Sequence, residues 1–302
     1  MLRGAQLHAK MKLAQHLGDV GHFHVVIHVL NGFAENGLLW TNPMKVVILC
    51  GGLGTRLREE TEFRPKPMVE IGGRPILWHI MKIYAHYGFR EFVLCLGYRG
   101  NVIKEYFLNY EAMNNDFTIA LGSGCSIQPH GEHNEQDFRV TLVDTGADTM
   151  TGGRIKRIEP HIDGDLFLVT YGDGLANIDL RKLLDFHRSC GKLATVTTVR
   201  PMSRFGIVDI DENGTVKSFA EKPQVDGWIN AGYFVFQRRC FDYLTGGDAC
   251  ILEQEPLARL AADGQLAAYR HEGFFFAMDT YREYEALNKM WNCGRAPWKI
   301  WP

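Results

Sequence analysis

Apolar residues along this chain fall into two rhythms, short continuous runs and helical spacings, and the two alternate. "KVVILCGG", from Lys45, is an apolar run that stops at glycines, the pattern of a parallel strand buried on both faces. In "PILWHIMKIYAHYG", Ile76, Ile80, Ile83, Tyr84 and Tyr87 keep helical spacing, Pro75 suits the first turn and Gly88 the stop. "EFVLCLGY" predicts a second buried strand. "NVIKEYFLNYEA" predicts a second helix, with Val102, Ile103, Tyr106, Phe107 and Tyr110 inward. "DFRVTLVDTG" and "DLFLVTYGDG" read as strands, separated by a short helix in "MTGGRIKRIEP". "DLRKLLDFHRSCG" reads as a helix and the β-branched "LATVTTV" as a strand. "GIVDIDENGTVKSFAEKP" reads as a hairpin closed at Asn213-Gly214. "NAGYFVFQ" and "QLAAYRHEG" predict strands, "EQEPLARLAADG" and "REYEALNKMWNCG" helices.

This alternation predicts an α/β fold: a Rossmann-like, mixed but mainly parallel sheet flanked by helices, with the hairpin supplying its antiparallel part. After Met44 there is no linker, repeat or low-complexity stretch, so residues 44–302 read as one domain. The first 43 residues differ. Within them "HLGDVGHFHVVIHVLNG" carries four histidines, His16, His22, His24 and His28; His22-x-His24 alternates like one face of a strand, and no acidic or cysteine ligand accompanies it, which weighs against a metal site. Lys10 and Lys12 precede no small-residue cleavage site, which weighs against a signal peptide. "MKVVILCGG" looks like a natural start. Residues 1–43 are therefore expected to be an extension, either a disordered arm or non-native upstream translation.

Composition narrows the function classes. A chain of 302 residues, 46% hydrophobic, can bury the core of one large domain or two small ones. A formal charge of −2 lacks the basic bias of a nucleic-acid partner, and no apolar run reaches the length of a membrane span. Seven cysteines, an odd number without a C-x-x-C pair, read as reduced thiols of a cytoplasmic protein.

The chemistry concentrates in "LCGGLGTRLREETEFRPKPMVEIGG". Leu49 and Cys50 close the first strand. Gly51, Gly52, Leu53, Gly54, Thr55 and Arg56 follow, a loop whose backbone N–H groups can converge on an oxyanion. The dinucleotide fingerprint would need a third glycine where Leu57 stands, and the P-loop would need Gly-Lys-Ser/Thr, which is absent. Alone, the loop could be a strand-to-loop turn. Lys66, between Pro65 and Pro67, adds a cation on a segment expected to be extended and stiff, able to meet a polyphosphate at small entropic cost. Asp173 in "TYGDG" sits just past a buried strand, where α/β sheets bind ligands, although a turn aspartate is the plain alternative. Asp279 in "MDT" could merely cap the last helix, and Glu221-Lys222 could be a surface ion pair. His79, His86, His187 and His271 offer no nucleophile–base spacing, and the sequence offers no Ser/His/Asp arrangement.

"GGLGTRL" followed by "RPKPMVEIGGRPILWHI" resembles the signature of the sugar nucleotidyltransferases. "VTLVDTG", "TMTGGR", "TYGDG", "RFG", "AEKP", "EQEPL", "MDT" and "APWKIW" are similar to the glucose-1-phosphate cytidylyl branch of that family. The resemblance runs from about Met44 to Trp301. It implies a GT-A-like nucleotidyltransferase architecture, CTP and glucose 1-phosphate as substrates, and release of CDP-glucose and pyrophosphate. It also implies a homo-oligomer, a hexamer, and a place in deoxysugar synthesis for a lipopolysaccharide O-antigen.

By the same resemblance, Arg56 and Lys66 are catalytic. Leu49 through Arg56, Lys66, Thr149, Arg154 and Gly172 bind the nucleotide. Asp173 and Asp279 hold Mg²⁺. Glu221 meets sugar hydroxyls, Lys222 the sugar phosphate, and Asn230 the sugar. The family pattern has glycine where this chain has Ala231. The polar stretch "GSGCSIQPHGEHNEQD", residues 122–137, is expected to be an irregular loop near the nucleotide or at a subunit contact. Three rival readings stay open: the same reaction with UTP or dTTP, a non-catalytic sugar-phosphate-binding regulator, and a nucleotide-dependent oxidoreductase.

Overall fold

Continuous apolar runs have no polar face to show to water, so these segments collect in the middle of a sheet. The computed structural model describes residues 44–121, 126–203 and 205–302. His16, His22, His24 and His28 lie outside them. Pro43–Pro302 form one compact unit. Its main sheet has seven strands among the described residues: Lys45–Cys50 (β1), Glu91–Leu96 (β2), Arg139–Asp144 (β3), Leu166–Tyr171 (β4), Ala194–Val199 (β5), Ile229–Gln237 (β6) and Leu266–Arg270 (β7). Their order is β7-β5-β6-β4-β1-β2-β3. Every neighbouring pair is parallel except the two that involve β6, which runs against β4 and β5. The antiparallel member is thus β6, not the hairpin. The hairpin, Ile207–Ile210 with Val216–Ala220, stands apart as its own two-stranded sheet.

The helices include Ile76–His86 (α1), Gly100–Leu108 (α2), Tyr110–Asn114 (α3), Thr151–Arg157 (α4), Leu180–Cys190 (α5), Glu255–Ala262 (α6) and Tyr281–Asn292 (α7). The predicted helix over 101–112 is divided at Asn109, which closes α2 and opens α3. The period of two along each strand sorts side chains between two cores. Val46, Ile48, Cys50, Phe92, Leu94 and Leu168 pack with Ile80 of α1, Leu183 of α5 and Leu287 of α7. Val47, Leu49, Val93, Cys95, Phe167 and Val169 pack on the other face with Ile155 of α4 and Leu260 of α6. The stretch expected to be irregular contains Ser126–Pro129, which pairs with Phe117–Ala120 in a hairpin exposed along both strands. Its polar side chains hid the ladder, because neither face is buried to impose alternation.

Three features matter for the site. Asp173 is followed by a three-residue strand, Gly174–Ala176, which pairs with Phe275–Ala277 and carries Met278 N–H onto the Asp173 carbonyl at 2.9 Å. Lys66 is not extended: Lys66–Met68 form a 3₁₀ turn, opened by an extended Pro65 and closed by Met68 N–H to Pro65 O at 2.8 Å. Behind that turn, His79 is fully buried among Trp78, Trp291, Trp298 and Trp301. Trp298 Nε1 donates to His79 Nδ1 at 3.4 Å, so Nε2 carries the proton and donates to Ile71 O at 2.9 Å. The "APWKIW" tail thereby pins the segment that carries Lys66.

Candidate active site

Parallel strands β1, β4 and β5 end on one edge of the sheet, beside the start of the antiparallel β6. A cavity of about 1110 Å³ opens there. Its wall includes Leu49, Gly51, Gly52, Gly54, Thr55, Arg56, Lys66, Thr149, Arg154, Gly172, Asp173, Asn230 and Asp279.

The glycine loop leaves β1 at Cys50 and is held at both ends. Gly54 has φ +64°, the left-handed region, and its carbonyl accepts from Thr61 Oγ1 at 3.0 Å. Leu57, fully buried, anchors the far end. Beneath the loop lies Arg154, only 5% exposed. Its guanidinium donates to the carbonyls of Gly51 (3.0 Å), Leu96 (3.0 Å), Gly146 (2.7 Å) and Ala147 (3.1 Å), and to Thr145 Oγ1 (2.9 Å). It ties the loop to the ends of β2 and β3. A Cβ at Gly51 would come within 2.1 Å of that guanidinium, so this glycine makes room for the arginine. Gly172 is required by a similar closeness: a Cβ there would sit 2.8 Å from Leu49 O. Burial pulls the Arg154 pKa down from its ordinary value.

The charged centre joins three segments that are remote in sequence. Lys66 Nζ lies 2.6 Å from Asp173 Oδ2 and 2.6 Å from Asp279 Oδ1. Arg56 Nη2 lies 2.9 Å from the same Asp279 oxygen. Burial alone would lower the lysine's pKa, but the two carboxylates outweigh it and hold the pKa above the ordinary value. Asp279 itself is aimed by the start of α7, where Glu283 accepts from the N–H groups of Asp279 (2.7 Å) and Thr280 (2.9 Å) in a capping box.

On the other flank, Asn230 Oδ1 accepts from Gly232 N–H at 2.7 Å, and Gly232 has φ +78°. The glycine conformation is therefore needed at 232. Ala231 is buried at the cavity wall. Asn230 Nδ2 donates to the Tyr171 hydroxyl at 3.2 Å, and that hydroxyl donates to Glu253, which also accepts from Thr151 Oγ1 at 2.6 Å. Burial, then Glu253, drives the Tyr171 pKa up.

Not every expected residue reaches the cavity. Cys50 is fully buried, because the alternation of β1 turns its side chain into the core with Val46 and Ile48. Leu53 is 58% exposed and is not among the lining residues. Glu221 and Lys222 are exposed, paired with each other at 3.4 Å, and lie off the cavity wall at the end of the separate hairpin. Lys222 has φ +47°, a left-handed backbone in a non-glycine residue. Tyr171, Arg200 and the run Phe274–Ala277 line the cavity without having stood out in the sequence. A strand-end aromatic and an arginine before proline look like ordinary surface until the sheet is assembled.

Residues 45–269 match the family model described as "Nucleotidyl transferase". The chain is 51% identical over 260 residues to "Glucose-1-phosphate cytidylyltransferase" of Salmonella typhi, covering 85% of this chain and 100% of that one. It is 50% identical over 258 residues to "Probable glucose-1-phosphate cytidylyltransferase" of Bacillus subtilis (strain 168), again covering 85% and 100%. Among solved structures, HddC from Yersinia pseudotuberculosis superposes with a TM-score of 0.61 at 25% identity, covering 82% of this chain and 99% of that one.

Proposed function

The chain belongs to the nucleotidyl transferase family, and we propose that it joins CTP to α-D-glucose 1-phosphate, releasing pyrophosphate and leaving CDP-glucose. The observation that carries this reading is the meeting of Asp173, Asp279, Lys66 and Arg56 beside the glycine loop, in one cavity. A phosphate oxygen of glucose 1-phosphate attacks the α-phosphorus of CTP. A P–O bond forms on that side while the α–β bridging P–O bond breaks on the other, and pyrophosphate leaves with the electron pair. The second pKa of a phosphomonoester is about 6, so the nucleophile is already largely dianionic and needs no strong general base. The barrier is the approach of one anion to another.

The two carboxylates suit a divalent cation, Mg²⁺ by chemistry. They already accommodate one cationic group between them, at 2.6 Å from each. Among the described residues no third His, Cys, Asp or Glu completes a cluster, which matches an ion that takes few carboxylates and fills the rest with phosphate and water. When bound, Mg²⁺ supplies charge neutralisation at the phosphates. Lys66 and Arg56, at the same edge of the cavity, would stabilise the charge of the departing pyrophosphate. Gly51–Thr55 offer backbone N–H groups to the same phosphates, and Arg154 fixes the loop's shape from below. Thr149 on the cavity wall would contact the nucleotide, and Asn230 the sugar. Glu221, for the sugar hydroxyls, and Lys222, for the sugar phosphate, are off the cavity wall and would need their hairpin end to move toward it. Residues 44–302 act as one nucleotidyltransferase domain, in a cytoplasmic homo-oligomer, a hexamer, whose product feeds deoxysugar synthesis.

Pyrophosphate release by the full chain, with glucose 1-phosphate and each of CTP, UTP, dTTP, ATP and GTP, tests the reading. CTP should be preferred, and Asp173→Asn should abolish turnover at an unchanged Tm. Equal or better use of dTTP or UTP would reject the cytidylyl assignment.

A further inference from the structure

Among the described residues, four cationic side chains line the cavity: Arg56, Lys66, Arg154 and Arg200. Three of them are committed. Arg56 and Lys66 are paired with Asp279 and Asp173, and Arg154 is saturated by backbone carbonyls. Arg200 is different. No carboxylate among the described residues pairs with it; its guanidinium rests on the indole of Trp228, 5.1 Å from the ring centroid. Arg270 lies over the same ring at 5.4 Å. One indole thus gathers two cations beside the cavity, and cation–π contact is the force that holds a guanidinium in place without neutralising it.

Position gives that charge a purpose. Arg200 follows Val199, the last residue of β5, and Trp228 precedes Ile229, the first of β6. Across the sheet, β5 is three strands from β1, about 14 Å from the glycine loop, with Asp173 and Asn230 in between. With the triphosphate held by the glycine loop at the β1 end, as proposed above, Arg200 stands on the side from which the second anion would approach. Lys222, the cation expected there from the resemblance, is off the cavity wall.

We propose that Arg200, pre-positioned on Trp228 with Arg270 behind it, receives the phosphate of the incoming sugar 1-phosphate and positions it for attack. This rests on the reaction given above. The Pro201 that follows restrains the local backbone, so the guanidinium's placement is set before substrate arrives.

The test is initial-rate kinetics of the full chain, with CTP and glucose 1-phosphate varied separately. Arg200→Met should raise KM for the sugar phosphate about tenfold, as loss of one charge-assisted contact does, while KM for CTP stays within about twofold. Arg200→Lys should recover part of the loss. Trp228→Leu should reproduce the Arg200→Met pattern more weakly, and Trp228→Phe should spare it. Tm of each variant is measured alongside; Arg270→Met, off the cavity wall, keeps the proposal testable if Arg200→Met folds poorly, and should raise KM for the sugar phosphate by a few-fold. An unchanged KM for glucose 1-phosphate in both arginine variants, or an equal rise for both substrates, overturns it. A wild-type chain inactive with CTP and glucose 1-phosphate would instead reject the reaction itself.

Discussion

Lys66→Met separates the two jobs assigned to this lysine. In the structure the ammonium sits 2.6 Å from an oxygen of each carboxylate, and the side chains are 11% (Lys66), 27% (Asp173) and 18% (Asp279) exposed. Two oxygens that share one partner at 2.6 Å are at most about 5 Å apart, and at an effective dielectric of 20 their charges repel by about 3 kcal/mol. Arg56 offsets part of this from the solvent side, but it is 68% exposed and its charge is screened. Removing the lysine should therefore cost about 3 kcal/mol without metal, a fall in Tm of roughly 6–12 °C for a domain of this size. The cost is electrostatic, so a divalent cation should return it. Thermal denaturation of wild type and variant across a Mg²⁺ series, without nucleotide, is the assay. In the variant, Mg²⁺ should raise Tm more steeply and from at least about tenfold lower concentration, because it no longer competes with an ammonium. Turnover should nonetheless fall by about 10²–10³, since the lysine is also needed on the phosphates. A variant less responsive to Mg²⁺ than wild type, or one whose Tm is unaltered without metal, would refute the shared-site reasoning.

Two further changes probe the supports of the site. Arg154→Met strips donors from four carbonyls and a threonine hydroxyl, so it should cost about 3–5 kcal/mol in denaturant unfolding and raise KM for CTP at least about tenfold; a normal stability with a raised KM would show direct nucleotide contact instead of loop support. Burial pushes His79 down to about 4 from 6.5, so unfolding takes up a proton between those values: stability is full above pH 6.5 and falls by about 3 kcal/mol as the pH drops toward 4. His79→Gln should flatten that part of the Tm–pH curve relative to wild type, and parallel curves would remove His79 as the cause.

How much of this was written in the sequence depends on the range of the interaction that fixes each feature. The β1, β2 and β4 strands announce themselves because burial on both faces demands continuous apolar residues, and α5 because Asp179 caps it and Gly191 ends it at φ +61°. The glycine loop is legible for the same local reason. Lys66 was half legible. Two prolines do stiffen the segment, but Pro67 also suits the first turn of a helix, and a 3₁₀ turn needs only the Pro65 carbonyl as acceptor. That turn is what lets the lysine point back between two carboxylates. Their meeting could not be read at all: it depends on a three-residue ladder, Gly174–Ala176 on Phe275–Ala277, between segments about a hundred residues apart in the chain. Such a ladder has too few positions to leave a period. Arg200 is hidden more deeply still. Its meaning lies in its seat on an indole beside the cavity, visible only when β5 and β6 bring Arg200, Trp228 and the cavity to the same edge. Local chemistry in the sequence therefore locates the glycine-loop end of the cavity, whereas the Arg200 end is set by strand order.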